Sequence, residues 1–217
     1  MAELTAFLYP FLEGTADDPD VLLEDLSRSA AAKWDESVEL RRAVCAGHAD
    51  ELHRTASAVA ARIAGGGRLL AFGNGGSAAD ADAFVDRCRS VRPRPLPALS
   101  LVADAGVITA LANDVGVDAV FTRQLEACGR GGDVAVVFST SGGSTNLLRA
   151  IEHCAVGGLL VIGLTGGGGV QLGSGVDHRF VVDATSVHRI QEAQTALSID
   201  LVTAIAAALA ASDEVRT

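Results

Sequence analysis

Apolar positions change their period at residue 68. Across residues 21–31 and 34–63 apolar side chains recur at spacings of three and four, as in Leu40, Val44, Leu52, Ala56, Val59 and Ile63. That is the period of an amphipathic helix. Gly65, Gly66 and Gly67 close the segment. From Arg68 onward, short continuous apolar runs at 69–72, 98–102, 134–138, 159–164 and 180–182 alternate with helical stretches at 78–89, 105–112, 119–128 and 146–155. A long Ala-rich helix over 187–211 ends the pattern. Runs that are apolar at every position belong to strands covered on both faces. The pattern therefore predicts a three-layer αβα sandwich around a five-stranded parallel sheet. A helical extension over 1–66, suited to oligomerisation, precedes an α/β domain over 67–217. Three of the five prolines fall within 92–97, which marks a loop.

A chain of 217 residues suits one core with an appendage. Aromatic residues make up 4%, so the core is built mainly from Ala, Val, Leu and Ile. A formal charge of −10 argues against broad nucleic-acid binding or an anionic membrane surface as partner. Cys45, Cys88, Cys128 and Cys154 form no CxxC pair and read as reduced thiols. With no signal segment and no uninterrupted apolar run of about 18 residues, a soluble cytoplasmic protein is expected.

Two turns carry the candidate chemistry. Residues 68–84 read RLLAFGNGGSAADADAF, an apolar strand, a glycine turn and a helix start. Glycines let backbone approach a ligand, and the first N–H groups of a helix lack partners, so such a junction suits an anion. Ser77 is placed to cap the helix or to donate to a phosphate oxygen. Residues 138–146 read FSTSGGSTN, with five hydroxyl side chains in seven residues around two glycines. That neutral cup of donors suits a phosphate monoester. A third turn, LTGGGG at 164–169, reads as a mobile loop without a ligand role. None is a Walker motif, and 73–78 does not complete GxGxxG.

With GNGGSAADA at 73–81, Asn113-Asp114, the hydroxyl turn at 139–146 and Arg189-Ile190-Gln191-Glu192, the chain resembles the sugar isomerase (SIS) family, in particular its phosphoheptose isomerases. The resemblance implies a homotetramer binding phosphosugars. It implies ligand contacts from Asn74, Gly75, Ser77, Ser139, Thr140, Ser141, Ser144 and Gln191, with Asp114 near the sugar. Active members move a proton between two carbons through an enediol, which needs a base and a group to steady the oxyanion.

The family places a His and, four residues later, a Glu on the helix after GNGGS; here those positions hold Ala83 and Arg87. Of the zinc set, Gln191 is present, and the family's His eight residues further on is Ile199. No metal and no other cofactor is expected. Arg87 cannot act as a base, but its charge can favour an anion or pair with a carboxylate. His188 and Glu192 are the remaining candidates for proton transfer. The expected function is phosphosugar binding without the usual isomerase machinery, in a sensing or assembly role with an unidentified protein partner. Two alternatives stand beside it: an active isomerase of sedoheptulose 7-phosphate or a related sugar phosphate, and a regulator like the DnaA-binding relative that promotes replication initiation.

Overall fold

The computed structural model describes residues 19–167 and 172–214, so Gly168 and Gly169 of the third turn lie outside the described residues. The chain divides into two compact units, Met1–Glu39 and Leu40–Thr217. The boundary falls within the first helix, α1 (Pro19–Gly47). This helix runs through residues 31–34 without a break, because Ala31, Ala32 and Lys33 favour helix and contain no breaker. The break comes at His48, before α2 (Ala49–Ala64). Trp34 is exposed.

Within Leu40–Thr217, five strands form one parallel sheet: β1 (Leu69–Gly73), β2 (Ala98–Ser100), β3 (Val134–Ser139), β4 (Leu160–Gly166) and β5 (His178–Val182). Their spatial order is β2-β1-β3-β4-β5, so the winding reverses between β1 and β3. β1 and β3 are buried at every position, as their unbroken apolar runs require. The connecting helices are α3 (Gly76–Ser90), α4 (Ala105–Asp114), α5 (Val120–Cys128) and α6 (Thr145–Val156), followed by the terminal α7 (Val187–Glu214).

Alternate strand residues feed two cores. Leu69, Ala71, Val134, Val136 and Phe138 join side chains of α2, α3 and α7 on one face. Leu70, Phe72, Ala135 and Val137 join α5 and α6 on the other. Phe72, Phe84, Phe138 and Phe180 are fully buried. Each contributes about 1.5–3 kcal/mol relative to an exposed position. The helix α7 is long and apolar enough, by composition alone, to cross a bilayer. Its buried residues Ile190, Ala193, Leu197, Leu201 and Ile205 lie in the first core instead. None of the four cysteines is in a disulfide, and burial pushes the Cys88 and Cys154 thiols up to about 12.

Helix α2 is tied to the edge strand β5 by polar contacts that periodicity does not reveal. The Val181 backbone N–H donates to His48 Nε2 at 3.2 Å, while His48 Nδ1 lies 2.9 Å from the Val44 carbonyl oxygen. The ring therefore donates through Nδ1 and accepts through Nε2, which is the neutral tautomer. It covers an edge amide that would otherwise be open to another strand. Beside it, His178 Nδ1 is 2.7 Å from Glu51 Oε1. Burial alone would raise the Glu51 carboxyl, but hydrogen bonds and charge from His178 and Arg54 outweigh it and hold the group below its ordinary value. The ionised form thus stabilises the fold above the ordinary value of 4.5, and that contribution is lost as pH falls through the lower folded value. Glu51→Gln is expected to lower stability by about 1 kcal/mol at neutral pH and to flatten its decline below pH 4.5, as measured by urea unfolding across pH.

Candidate functional site

The two glycine turns lie side by side at the carboxyl ends of β1 and β3, where the winding of the sheet reverses. Open parallel sheets form their ligand crevices at that location. Gly73 pairs in register with Phe138. A Cβ on Gly73 would lie 2.7 Å from both the Phe138 and Ser77 carbonyl oxygens, so only glycine lets strand, turn and helix approach this closely. Gly75 has φ +56°, a conformation open to glycine, and serves as the N-cap of α3. The expected Ser77 cap is therefore displaced: Ser77 lies inside the first turn and is buried.

Across the gap, Asn74 Nδ2 donates to Asn146 Oδ1 at 2.9 Å, and Asn146 Nδ2 donates back to Asn74 Oδ1 at 3.0 Å. This reciprocal amide pair joins the two turns directly. Asn146 was the last residue of the second motif but not among the expected ligand residues; an Asn in each glycine turn was the available signal.

In the second turn, Ser139 Oγ accepts from the Gly142 N–H at 2.9 Å, and Ser141 Oγ accepts from Gly143 at 3.4 Å. A hydroxyl that accepts from backbone still has its own O–H to donate. Ser144 is the N-cap of α6, yet its side chain makes no capping bond. Thr140 is half-buried and Ser141 exposed. The turn thus presents hydroxyls that helix capping does not consume.

The start of α7 completes the neighbourhood. Gln191 packs against Gly76, where a Cβ would collide with its side-chain amide. Gln194, which periodicity did not single out, is fully buried and donates from Nε2 to the Ser139 carbonyl at 3.0 Å. Its Oε1 has no hydrogen-bond partner. His188 is exposed in the first turn of α7. Arg189 grips Glu192 at 2.6 and 2.8 Å, so the Glu192 carboxylate is engaged in an ion pair. Asp114 ends α4 in an exposed position, where its Oδ1 accepts from Asn113 at 2.9 Å.

Arg87 lies apart from the turns. Ten residues separate it from Ser77 along α3, about 15 Å of helix rise. It donates to Ser198 Oγ at 3.3 Å rather than pairing with Asp82 or Asp86. One turn along α3 from Ser77, Asp80 Oδ1 accepts from Thr195 at 2.9 Å, while its Oδ2 is buried without a partner. Burial pushes the Asp80 carboxyl above its ordinary value; the Thr195 bond and the Arg87 charge oppose that shift without cancelling it.

Paired glycine turns edged with hydroxyls, at the reversal point of a doubly wound parallel sheet, define an anion-binding α/β domain. Residues 34–166 match the SIS domain family, and the chain belongs to that family, on its phosphoheptose isomerase branch. It is 42% identical over 161 residues to the phosphoheptose isomerase of Nitratidesulfovibrio vulgaris, covering 72% of this chain and 77% of that one. It is 38% identical over 179 residues to the phosphoheptose isomerase of Thermodesulfovibrio yellowstonii, covering 81% and 87%. Among solved structures, the phosphoheptose isomerase of Neisseria gonorrhoeae superposes with a TM-score of 0.78 at 32% identity, over 84% of this chain and 99% of that one.

The donor set at the four positions marked for zinc by the family resemblance does not fit a zinc ion. Ala83 and Ile199 have no donor atom, and Arg87 is a cation bonded to Ser198. Gln191 alone could ligate, which falls short of the four donors a tetrahedral site needs.

The amide pair joining the turns has a measurable signature. Asn74→Ala and Asn146→Ala are each expected to destabilise the fold by leaving the partner amide unsatisfied. The double substitution should cost less than the sum of the two, with a coupling of about 0.5–3 kcal/mol in urea unfolding.

Proposed function

We propose that the paired turns hold the phosphate of a sugar phosphate, donated to by Asn74, Ser77, Ser139, Thr140, Ser141 and Ser144, with Gly75 giving the backbone its close approach. The observation that carries this reading is the joining of both turns by Asn74 and Asn146. It brings two loops that are distant in sequence to one place. Gln191 lies over the same floor, and Asp114 stands on the side of α4. The assembly on this reading is a cytoplasmic homotetramer, as in the family resemblance.

The similarity to phosphoheptose isomerases over most of their length supports turnover: aldose–ketose isomerisation of sedoheptulose 7-phosphate or a close relative. A base would take the proton from carbon 2 of the open-chain aldose, and the enediolate would be reprotonated at carbon 1. On this reading His188, exposed in the first turn of α7, is the base, and the hydroxyl turn supplies donors for the oxyanion. A second reading, binding without turnover, draws support from Ala83, Arg87 and Ile199, none of which can serve as a base or a metal ligand at neutral pH.

One pair of measurements separates these readings. A sugar phosphate at 100 times its dissociation constant should stabilise the fold by about 2.7 kcal/mol, and Ser141→Ala with Ser144→Ala should weaken that binding. No stabilisation by any sugar phosphate would sink the phosphosugar reading. Solvent proton exchange at carbon 1 of sedoheptulose 7-phosphate, followed by NMR, should proceed and be lost in His188→Ala if the chain is an isomerase. Stabilisation without exchange leaves binding alone.

A further inference from the structure

Two helix faces set where Gln191 stands relative to the turns. On α7, Gln191, Thr195 and Ser198 fall within about 60° of one another at 3.6 residues per turn; on α3, Gly76, Asp80 and Arg87 fall within about 40°. The two stripes meet in register. Gly76 lies against the Gln191 side-chain amide, Thr195 Oγ1 donates to Asp80 Oδ1 at 2.9 Å, and Arg87 donates to Ser198 Oγ at 3.3 Å. Beside this stripe, Ile190, Ala193, Leu197 and Leu201 of α7 sink into the first core. Apolar burial is non-directional. The Thr195–Asp80 bond, by contrast, exists at one register only. A slide of α7 by one helical turn would carry Gln191 about 5.4 Å from its place over Gly76.

The pair is a costly way to join two helices if joining were its only role. Asp80 Oδ2 is buried without a hydrogen-bond partner, and burial disfavours the charged carboxyl. Replacing both partners of such a pair by apolar groups of matching shape is often neutral or stabilising, whereas fixing a register is the best-attested use of a buried polar group. The location of the pair gives that register a purpose. Asp80 stands one turn along α3 from Ser77, and Gln194, next to Thr195 in α7, donates to the Ser139 carbonyl at 3.0 Å. Helix α7 is thereby tied to both glycine turns, with Gln191 one turn before the Thr195 tie. We propose that Asp80 is a positioning residue: through Thr195 it sets the register of α7 and so holds Gln191 in place for the sugar. The proposal deepens the phosphosugar reading above and rests on it.

The test compares affinities for sedoheptulose 7-phosphate and for inorganic phosphate, read from thermal-shift titrations of the full chain. Thr195→Val keeps the shape of the side chain and removes its hydroxyl. It is expected to weaken sugar phosphate binding about 10-fold, the scale of one displaced hydrogen bond, and to leave phosphate binding unchanged because the turns alone hold that group. Thr195→Ser, which keeps the donor, should restore the sugar phosphate affinity. Asp80→Leu combined with Thr195→Val removes both polar partners; its unfolding temperature without ligand should hold level or rise while sugar phosphate affinity still falls. A bond with a structural role alone does not separate stability from affinity in this way. Where the double variant fails to fold, the Val and Ser variants at position 195 decide the matter. Undiminished sugar phosphate affinity in Thr195→Val, or an equal fall for both ligands, would overturn the positioning role and leave the phosphosugar reading standing. Failure of the unaltered chain to bind either ligand would overturn that reading and this proposal together.

Discussion

The candidate site depends on how closely β1 and β3 can approach at their carboxyl ends. At Gly73 a strand carbonyl from β3 and a helix carbonyl from α3 both stand where a side chain would be. That approach places the first residue after β1 within reach of the first turn of α6, and Asn74 and Asn146 then exchange two hydrogen bonds. Neither turn alone defines a pocket. Held together by the amide pair, they bring the N-terminal ends of α3 and α6 to a common point, and the partial positive charge of those ends adds to the hydroxyl donors.

The seam between α3 and α7 shows the same logic further from the turns. The two helices run with rising register: Gly76 meets Gln191, Asp80 meets Thr195, and Arg87 meets Ser198. Near the turns the seam is tight and amide-rich, with Gln194 bound to the Ser139 carbonyl. Farther along it carries a half-buried carboxyl and a guanidinium beside hydroxyls. Burial of Asp80 disfavours its charged form, and the neighbouring Arg87 repays only part of that. A carboxyl kept at such a position by one hydroxyl and one cation is a local polar network inside a largely apolar packing surface.

What was legible in the sequence was whatever a single stretch of chain determines. All five strands appear where the apolar runs lie, although β2 shortens to Ala98–Ser100 because its end turns away toward α4. The glycine turns were visible because glycine and hydroxyl residues mark a strand-to-helix junction by themselves. Contacts that depend on strand order were hidden. The Asn74–Asn146 pair spans 72 residues, the His178–Glu51 pair 127, and the His48–Val181 bond 133. No local pattern distinguishes these side chains from solvated ones. The position of Arg87 shows a related limit. Motif alignment records its order along the chain, whereas helix geometry sets its distance from the turn.

That distance bears on chemistry as well as on binding. A sugar phosphate seated at Ser77 lies about 15 Å of helix rise from Arg87 of the same chain. The paired turns are built from backbone, amides and hydroxyls that the fold itself brings together. Proton transfer has no such support. It needs one group of suitable pKa at one carbon atom; at the start of α7 the Glu192 carboxylate is held by Arg189, while His188 is exposed. The two demands thus draw on the same helices to different degrees, since Ser77 lies in α3 and Gln191 in α7. Substitution along α3 and α7 can alter the reaction while the cradle formed by β1 and β3 stays intact.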